Sequence, residues 1–130
     1  MTLRTGAVAV VDDDPFLLRA LERALLAYGY RVKTFSSAEQ YLEEANGAEI
    51  LCAVVDIHLH GEPMGLELGH EISRSEHATP VVFMTASDDP LLRERAMDIG
   101  CAEFLEKPFL TTRLIGVIMR LEGRDPTTLR

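Results

Sequence analysis

Three carboxylates and one ammonium group stand at the ends of short apolar runs in this sequence: Asp12, Asp13, Asp56 and Lys107. Such runs predict buried strands, and the carboxyl ends of parallel strands share one edge of a sheet, where ligand sites form. The four side chains should therefore meet, although they are far apart in the sequence. Carboxylates this close repel one another unless a cation holds them. Mg²⁺ takes few carboxylates and leaves room for phosphate oxygens, so the residues predict a site for a hard divalent cation.

Three residues at the predicted edge have alternative interpretations. Asp14 precedes a proline and fits the N-cap of a helix, which leaves Asp12 without a capping role. Lys107 can act as a point charge for a phosphoryl group, or it can merely balance the acidic crevice. Thr85 ends a predicted strand, where its hydroxyl would share the crevice, although threonine at a strand end is common. The bond before Pro108 can be cis or trans, and the sequence does not decide between them.

Short apolar runs alternate strictly with longer amphipathic runs along the chain. We predict strands at 7–12, 31–35, 51–56, 80–84 and 102–105, and helices at 15–28, 37–46, 65–76, 88–99 and 110–122. Five strand–helix units with short connections predict an α/β fold, a doubly wound five-stranded parallel sheet with five helices. The second strand alternates polar and apolar residues and so belongs at an edge. This pattern favours the flavodoxin-like strand order 2-1-3-4-5.

Residues typical of helix boundaries support this division. Ser36 or Ser37 can cap the second helix, and Gly47 can end it. Gly100 follows the fourth predicted helix, where a glycine readily adopts the left-handed conformation that ends many helices. The boundaries therefore agree with the hydrophobic pattern.

Composition excludes several functional classes. The 130 residues fit one domain, expected at 7–122, with an N-terminal extension at 1–6 and a tail or start of a linker at 123–130. The net charge is −8 and the basic residues are scattered, so we expect no direct binding of nucleic acid by this chain. No apolar run could span a membrane and no signal peptide is evident, so a cytoplasmic location is expected. Cys52 and Cys101 form no CxxC motif.

The assembled motifs resemble those of the receiver (REC) domain of two-component response regulators over about residues 7 to 122. The matching segments are Val10-Val11-Asp12-Asp13-Asp14, Val54-Val55-Asp56-Ile57-His58-Leu59, Gly65-Leu66-Glu67-Leu68, Met84-Thr85-Ala86 and Gly100-Cys101-Ala102-Glu103-Phe104-Leu105-Glu106-Lys107-Pro108-Phe109. Each segment alone is a weak signal. All of them in order, each at its expected strand end, make a strong one.

The resemblance implies a phosphoacceptor signalling domain that catalyses only its own phosphorylation, rather than an enzyme with a diffusing substrate. Asp56 would accept a phosphoryl group from a sensor histidine kinase or a histidine phosphotransfer protein. Asp13 and Asp56 would bind Mg²⁺ with the backbone carbonyl of His58, and Asp12 would lie nearby. The metal would offset charge on the transferring group, so the protein would supply mainly positioning and electrostatics.

The resemblance also implies a switch between two states. Lys107 would pair with phosphoryl oxygens, and the Thr85 hydroxyl would turn towards another. Phe104 stands at the aromatic switch position of the family, whose ring moves inward once the threonine shifts. The change would alter the face formed by the fourth helix, fifth strand and fifth helix, where downstream protein partners would dock. A homodimer that depends on phosphorylation is a further expectation that the sequence leaves open.

Two segments depart from the usual family pattern. His60 stands where proline is commoner, and the stretch from Asp56 to Gly65 is one residue longer than usual, so partner choice and phosphoryl lifetime cannot be carried over. Phe104 replaces the frequent tyrosine, so the switch would rest on packing alone. His58 and His60 do not make a convincing zinc site, because zinc usually has three or four protein ligands.

A haloacid-dehalogenase-type phosphatase is the alternative function. Those enzymes also form an aspartyl phosphate with Mg²⁺, and Asp12 and Asp14 have their Asp-x-Asp spacing, which would make Asp12 the nucleophile. Pro15 counts against it, since that family favours glycine and a small hydroxyl residue there. A flavin-binding flavodoxin is rejected because three aspartates after the first strand would repel its phosphate. We expect no output domain within these 130 residues, which could equally be the regulatory part of a longer transcription factor.

Overall fold

Five strands alternate with five helices in the part of the chain that the structure describes. The computed structural model describes residues 5–45, 49–125 and 127. The elements are β1 Ala7–Val11, α1 Pro15–Ala27, β2 Val32–Phe35, α2 Ala38–Glu44, β3 Ile50–Asp56, α3 Met64–Ser73, β4 Val81–Thr85, α4 Pro90–Ile99, β5 Glu103–Glu106 and α5 Thr111–Glu122. Gly47, most of the N-terminal extension and part of the tail lie outside the described residues. No helix among those described is long and apolar enough to cross a membrane.

All five strands form one parallel sheet in the predicted order, β2-β1-β3-β4-β5. β1, β3 and β4 are buried along their whole length because helices cover both faces of the sheet. β2 lies at the edge, as its sequence predicts, and is less buried: Lys33 is exposed, Phe35 is buried, and the other two residues are partly exposed. Val11 pairs with Val55, and Asp56 pairs with Met84. This register places the carboxyl ends of the central strands side by side.

Polar side chains begin three of the helices, largely where the sequence predicts. Asp14 caps α1 by accepting hydrogen bonds from the amides of the first turn, and Asp89 caps α4 in the same way. Ser37, rather than Ser36, caps α2. Gly100 ends α4 with a φ of 87°, a left-handed conformation that costs glycine little. The loops at the carboxyl edge of the sheet therefore start from fixed positions.

Helix α3 approaches the sheet unusually closely through its glycines. A Cβ atom placed on Gly69 would lie 2.2 Å from Cζ of Phe83, a fully buried side chain of β4. A Cβ atom on Gly65, in the first turn of α3, would lie 1.9 Å from the backbone oxygen of Asp56. The absence of side chains at these two positions lets the start of α3 pack against the end of β3.

Candidate functional site

The ammonium group of Lys107 lies between two buried carboxylates at the carboxyl edge of the sheet. Lys107 Nζ donates hydrogen bonds to Asp12 Oδ2 at 2.8 Å and to Asp56 Oδ2 at 2.7 Å. Asp12 is 1% exposed and Asp56 is 7% exposed. β1 and β3 are neighbours in the sheet, and the chain that leaves β5 supplies the lysine. The strand order thus brings together three residues that the sequence separates.

Burial shifts the protonation equilibria of this ion-paired group. Desolvation raises the pKa of Asp12 to about 6, and the hydrogen bond from Lys107 opposes that rise only in part. Burial also disfavours the charged form of Lys107. The hydrogen bonds to Asp12 and Asp56 outweigh that effect, and the pKa of Lys107 is raised. Lys107 therefore stays a cation, whereas Asp12 takes up a proton more readily than an exposed aspartate.

Asp12, Asp13 and Asp56 could together hold one metal ion. Each offers a carboxylate oxygen, and these oxygens lie within 4.8 Å of one another. Oxygen donors are the ligands that Mg²⁺ prefers, and a divalent cation would relieve the repulsion among the three charges. Within the described ranges this is the one cluster of at least three potential metal-binding side chains, and it includes neither His58 nor His60. The donor set fits magnesium better than zinc.

Thr85 ends β4, as the sequence predicts, Phe104 is the second residue of β5, and both are buried. The Thr85 hydroxyl accepts a hydrogen bond from the Ser87 amide at 3.0 Å, while its carbonyl accepts one from the Lys107 amide at 2.7 Å. The Phe104 ring is 5% exposed, and the guanidinium carbon of Arg93 lies 5.3 Å from its centroid. The peptide bond between Lys107 and Pro108 is cis. The role of Thr85 in the site stays a prediction.

Sequence reasoning missed a contact between the loop after β3 and Asp13. The backbone amide of His60 donates a hydrogen bond to Asp13 Oδ2 at 2.7 Å, across 47 positions of the sequence. Gly61, which follows, has a φ of 80°, and a glycine at that place was the available signal for a tight turn. The ligand role expected of the His58 carbonyl stays a prediction. The backbone amide of His58 donates a hydrogen bond to Asp56 Oδ1 at 3.0 Å.

An apolar groove of about 490 Å³ lies beside the charged residues, between α1 and the segment that follows β5. Leu17 and Leu21 line one side, and Pro108 and Phe109 line the other. Lys107 also contributes to its wall. The groove places an apolar surface directly next to the crevice that holds Asp56.

Comparisons with known proteins agree with the fold. Residues 8–119 match the family model described as the response regulator receiver domain. The response regulator protein TodT of Pseudomonas putida is 28% identical over 118 residues, which cover 91% of this chain and 52% of TodT. The transcriptional regulatory protein FixJ of Bradyrhizobium diazoefficiens is 33% identical over 113 residues, which cover 87% of this chain and 55% of FixJ.

Solved structures show the same architecture. The receiver domain of NtrX from Brucella abortus superposes with a TM-score of 0.81 at 29% sequence identity, over 89% of this chain and 98% of that one. The chain spans about half the length of the curated relatives that it matches.

Proposed function

This chain belongs to the response regulator receiver domain family, whose members act as phosphoacceptors in two-component signalling, and we propose that Asp56 is its phosphoacceptor residue. The observation that carries the proposal is the position of Asp56. It ends the central strand β3, is 7% exposed, and lies within hydrogen-bonding distance of Lys107. Its carboxylate also belongs to the acidic cluster with Asp12 and Asp13.

The reaction we propose is a displacement at phosphorus. An Asp56 carboxylate oxygen attacks the phosphorus of a phosphohistidine, the phosphorus–nitrogen bond breaks, and an acyl phosphate forms while the leaving imidazole takes a proton. Lys107 supplies a positive charge for the phosphoryl oxygens, and the Thr85 hydroxyl supplies a hydrogen bond to another of them. Mg²⁺ bound by Asp12, Asp13 and Asp56, with the carbonyl of His58, would offset the negative charge of the transferred group.

The phosphodonor we propose is a sensor histidine kinase or a histidine phosphotransfer protein in the cytoplasm. Such a donor must bring its phosphohistidine to the edge of the sheet where Asp56 lies. The apolar groove between α1 and the segment after β5 adjoins that edge and offers a surface on which a protein donor would dock. The chain itself would catalyse the transfer and would release no product other than the dephosphorylated donor.

The output we propose is a change on the face formed by α4, β5 and α5. Phosphorylation adds a dianion next to Lys107 and Thr85, which lie at the ends of β5 and β4. Phe104 of β5 packs beneath Arg93 of α4, so movement at the ends of the strands can reach that face. A downstream protein or a second copy of this chain would bind there. We propose no contact with nucleic acid by residues 7–122, because the chain is acidic.

The test is intact mass after incubation with acetyl phosphate and Mg²⁺. We expect the natural protein to gain one phosphoryl group only with Mg²⁺, and Asp56→Asn to gain none. Asp98→Asn, which changes an exposed aspartate of α4, is the matched control and should be labelled like the natural protein. Label that survives in Asp56→Asn but disappears in Asp12→Asn would overturn the assignment of the nucleophile. An unlabelled natural protein would overturn the phosphoacceptor role.

A further inference from the structure

The loop between β3 and α3 contains a tight two-residue turn. Leu59 and Glu62 pair as an antiparallel bridge, with backbone hydrogen bonds of 2.9 and 3.2 Å between them. His60 and Gly61, between them, have φ angles of 55° and 80°. Two successive positive φ angles in a two-residue connection are the mark of a type I′ turn. A residue other than glycine adopts such an angle uncommonly, so the turn holds His60 in a specific place.

This turn places a backbone N–H group, rather than a side chain, against the acidic cluster. The His60 amide lies 2.7 Å from Asp13 Oδ2, whereas the imidazole Nδ1 lies 3.9 Å from the same oxygen. The His60 side chain is 64% exposed and that of Asp13 is 32% exposed. The amide distance is that of a hydrogen bond, whereas 3.9 Å is too long for one. The amide is therefore the stronger of the two contacts with Asp13.

The contact completes a regular pattern among the three carboxylates. Asp12 accepts a hydrogen bond from the Asp14 amide at 2.9 Å, and Asp56 accepts one from the His58 amide at 3.0 Å. Both of those donors lie two residues along the chain from their acceptor. The residue two positions after Asp13 is Pro15, which has no N–H group to donate. His60 supplies from another segment the amide that the local sequence cannot supply.

We propose that the backbone amide of His60 is a positioning group for the metal-binding carboxylate of Asp13. The inference rests on the proposed Mg²⁺ site. Hydrogen bonds to a ligating carboxylate fix its orientation before the ion arrives, and loss of such an outer partner commonly weakens metal binding. A proline at position 60, the commoner residue there in the family, has no N–H and cannot adopt a positive φ. The turn of this chain thus gives Asp13 a hydrogen bond that a proline at position 60 could not give.

The test is calorimetric titration of the folded variants with MgCl₂, without a phosphodonor. We expect His60→Pro to weaken Mg²⁺ binding roughly tenfold, because it removes the amide donor and the turn. His60→Gly keeps both the N–H and the positive φ, and it should bind Mg²⁺ clearly more tightly than His60→Pro. If both variants lose the same Mg²⁺ affinity, the effect comes from loss of the imidazole, and the proposal is overturned. A Mg²⁺ affinity of His60→Pro equal to that of the natural protein would overturn the proposal too.

A second measurement covers the case in which His60→Pro does not fold. Amide hydrogen exchange is followed by NMR for His60 in the natural protein and in Asp13→Ala, both without metal. We expect slower exchange of the His60 amide in the natural protein, and equal rates would overturn the proposal. Failure of the proposed function gives a different result, because the natural protein would then gain no phosphoryl group whatever its Mg²⁺ affinity. A natural protein that binds no Mg²⁺ would overturn this inference and the metal site together.

Discussion

Replacing Lys107 with methionine should destabilise the metal-free protein by leaving two buried carboxylates unpaired. Lys107 contacts Asp12 and Asp56 at 2.8 and 2.7 Å, and their side chains are 1% and 10% exposed. Removing one partner of a buried ion pair costs about 3–5 kcal/mol. The Lys107 side chain is 20% exposed, so water partly solvates the ion pair. We expect the lower limit, a loss of about 3 kcal/mol in the free energy of unfolding near pH 8.

The loss of stability in Lys107→Met should depend on pH, because Asp12 titrates in this range. Burial raises the pKa of Asp12 to about 6 from 3.8, so the folded state binds a proton that the unfolded state does not. Stability therefore increases as the pH falls through the folded pKa. Removing Lys107 raises that pKa further, so the variant begins to gain stability at a higher pH than the natural protein. The deficit should shrink between about pH 8 and pH 6, by at most about 1.4 kcal/mol per pH unit.

Urea unfolding followed by far-UV circular dichroism, with a metal chelator present, measures this deficit across the pH range. Lys33→Met is the matched control, because Lys33 is the other lysine of the chain and is exposed on the edge strand β2. The control should stay within about 0.5 kcal/mol of the natural protein. A Lys107→Met deficit no larger than that of the control would refute the reasoning about unpaired carboxylates. A deficit that grows between pH 8 and pH 6 would refute the assignment to Asp12.

Three further substitutions test the scaffold, each by urea unfolding. Gly69→Ala places a Cβ atom 2.2 Å from Phe83 Cζ and should cost about 1–3 kcal/mol of stability; natural stability would contradict the close approach of α3 to β4. Tyr30→Phe removes a 2.9 Å hydrogen bond to Glu122 and should cost about 1 kcal/mol near neutral pH. Because burial and Glu122 raise the pKa of Tyr30, the natural protein should lose stability above about pH 10. The difference in stability between the natural protein and Tyr30→Phe should then disappear. A difference that stays constant with pH would contradict the hydrogen bond as its cause. Asp89→Ala removes the N-cap of α4 and should lower the free energy of unfolding by about 1 kcal/mol. Asp89→Asn can still cap the helix and should lose much less stability. Equal losses of stability in the two variants would show that the cap is not the cause.

The strand order could be predicted from the sequence because burial leaves a simple pattern on each strand. β1, β3 and β4 are apolar on both faces, as a sheet covered by helices requires, and β2 alternates because it lies at an edge. Once the order is known, the register of parallel strands brings Asp12 and Asp56 together, and Lys107 follows from the end of β5. These positions depend on whole elements, so an error of a few residues at a boundary does not change them.

The loop contacts could not be predicted, because they depend on individual backbone angles. Whether the amide of His60 reaches Asp13 is decided by the φ angles of two residues in a turn, and hydrophobic periodicity carries no information about them. The same holds for Thr85, whose hydroxyl accepts a hydrogen bond from the Ser87 amide in its own loop. Motif spacing places a side chain at the site, but the orientation of its polar atoms follows from the loop that comes next.

The hydrogen bonds of Asp56 indicate what the phosphorylation that we propose there would change. Oδ1 accepts from the His58 amide and Oδ2 accepts from Lys107 Nζ, so both oxygens already have a donor. An oxygen that bonds to phosphorus loses most of its negative charge, and the charge moves outward to the phosphoryl oxygens. Lys107 should follow that charge, because its ammonium group is held by electrostatic attraction on a flexible side chain. Its hydrogen bond to Asp12 would then weaken. Phosphorylation of Asp56 would therefore also leave a second buried carboxylate, that of Asp12, less well paired.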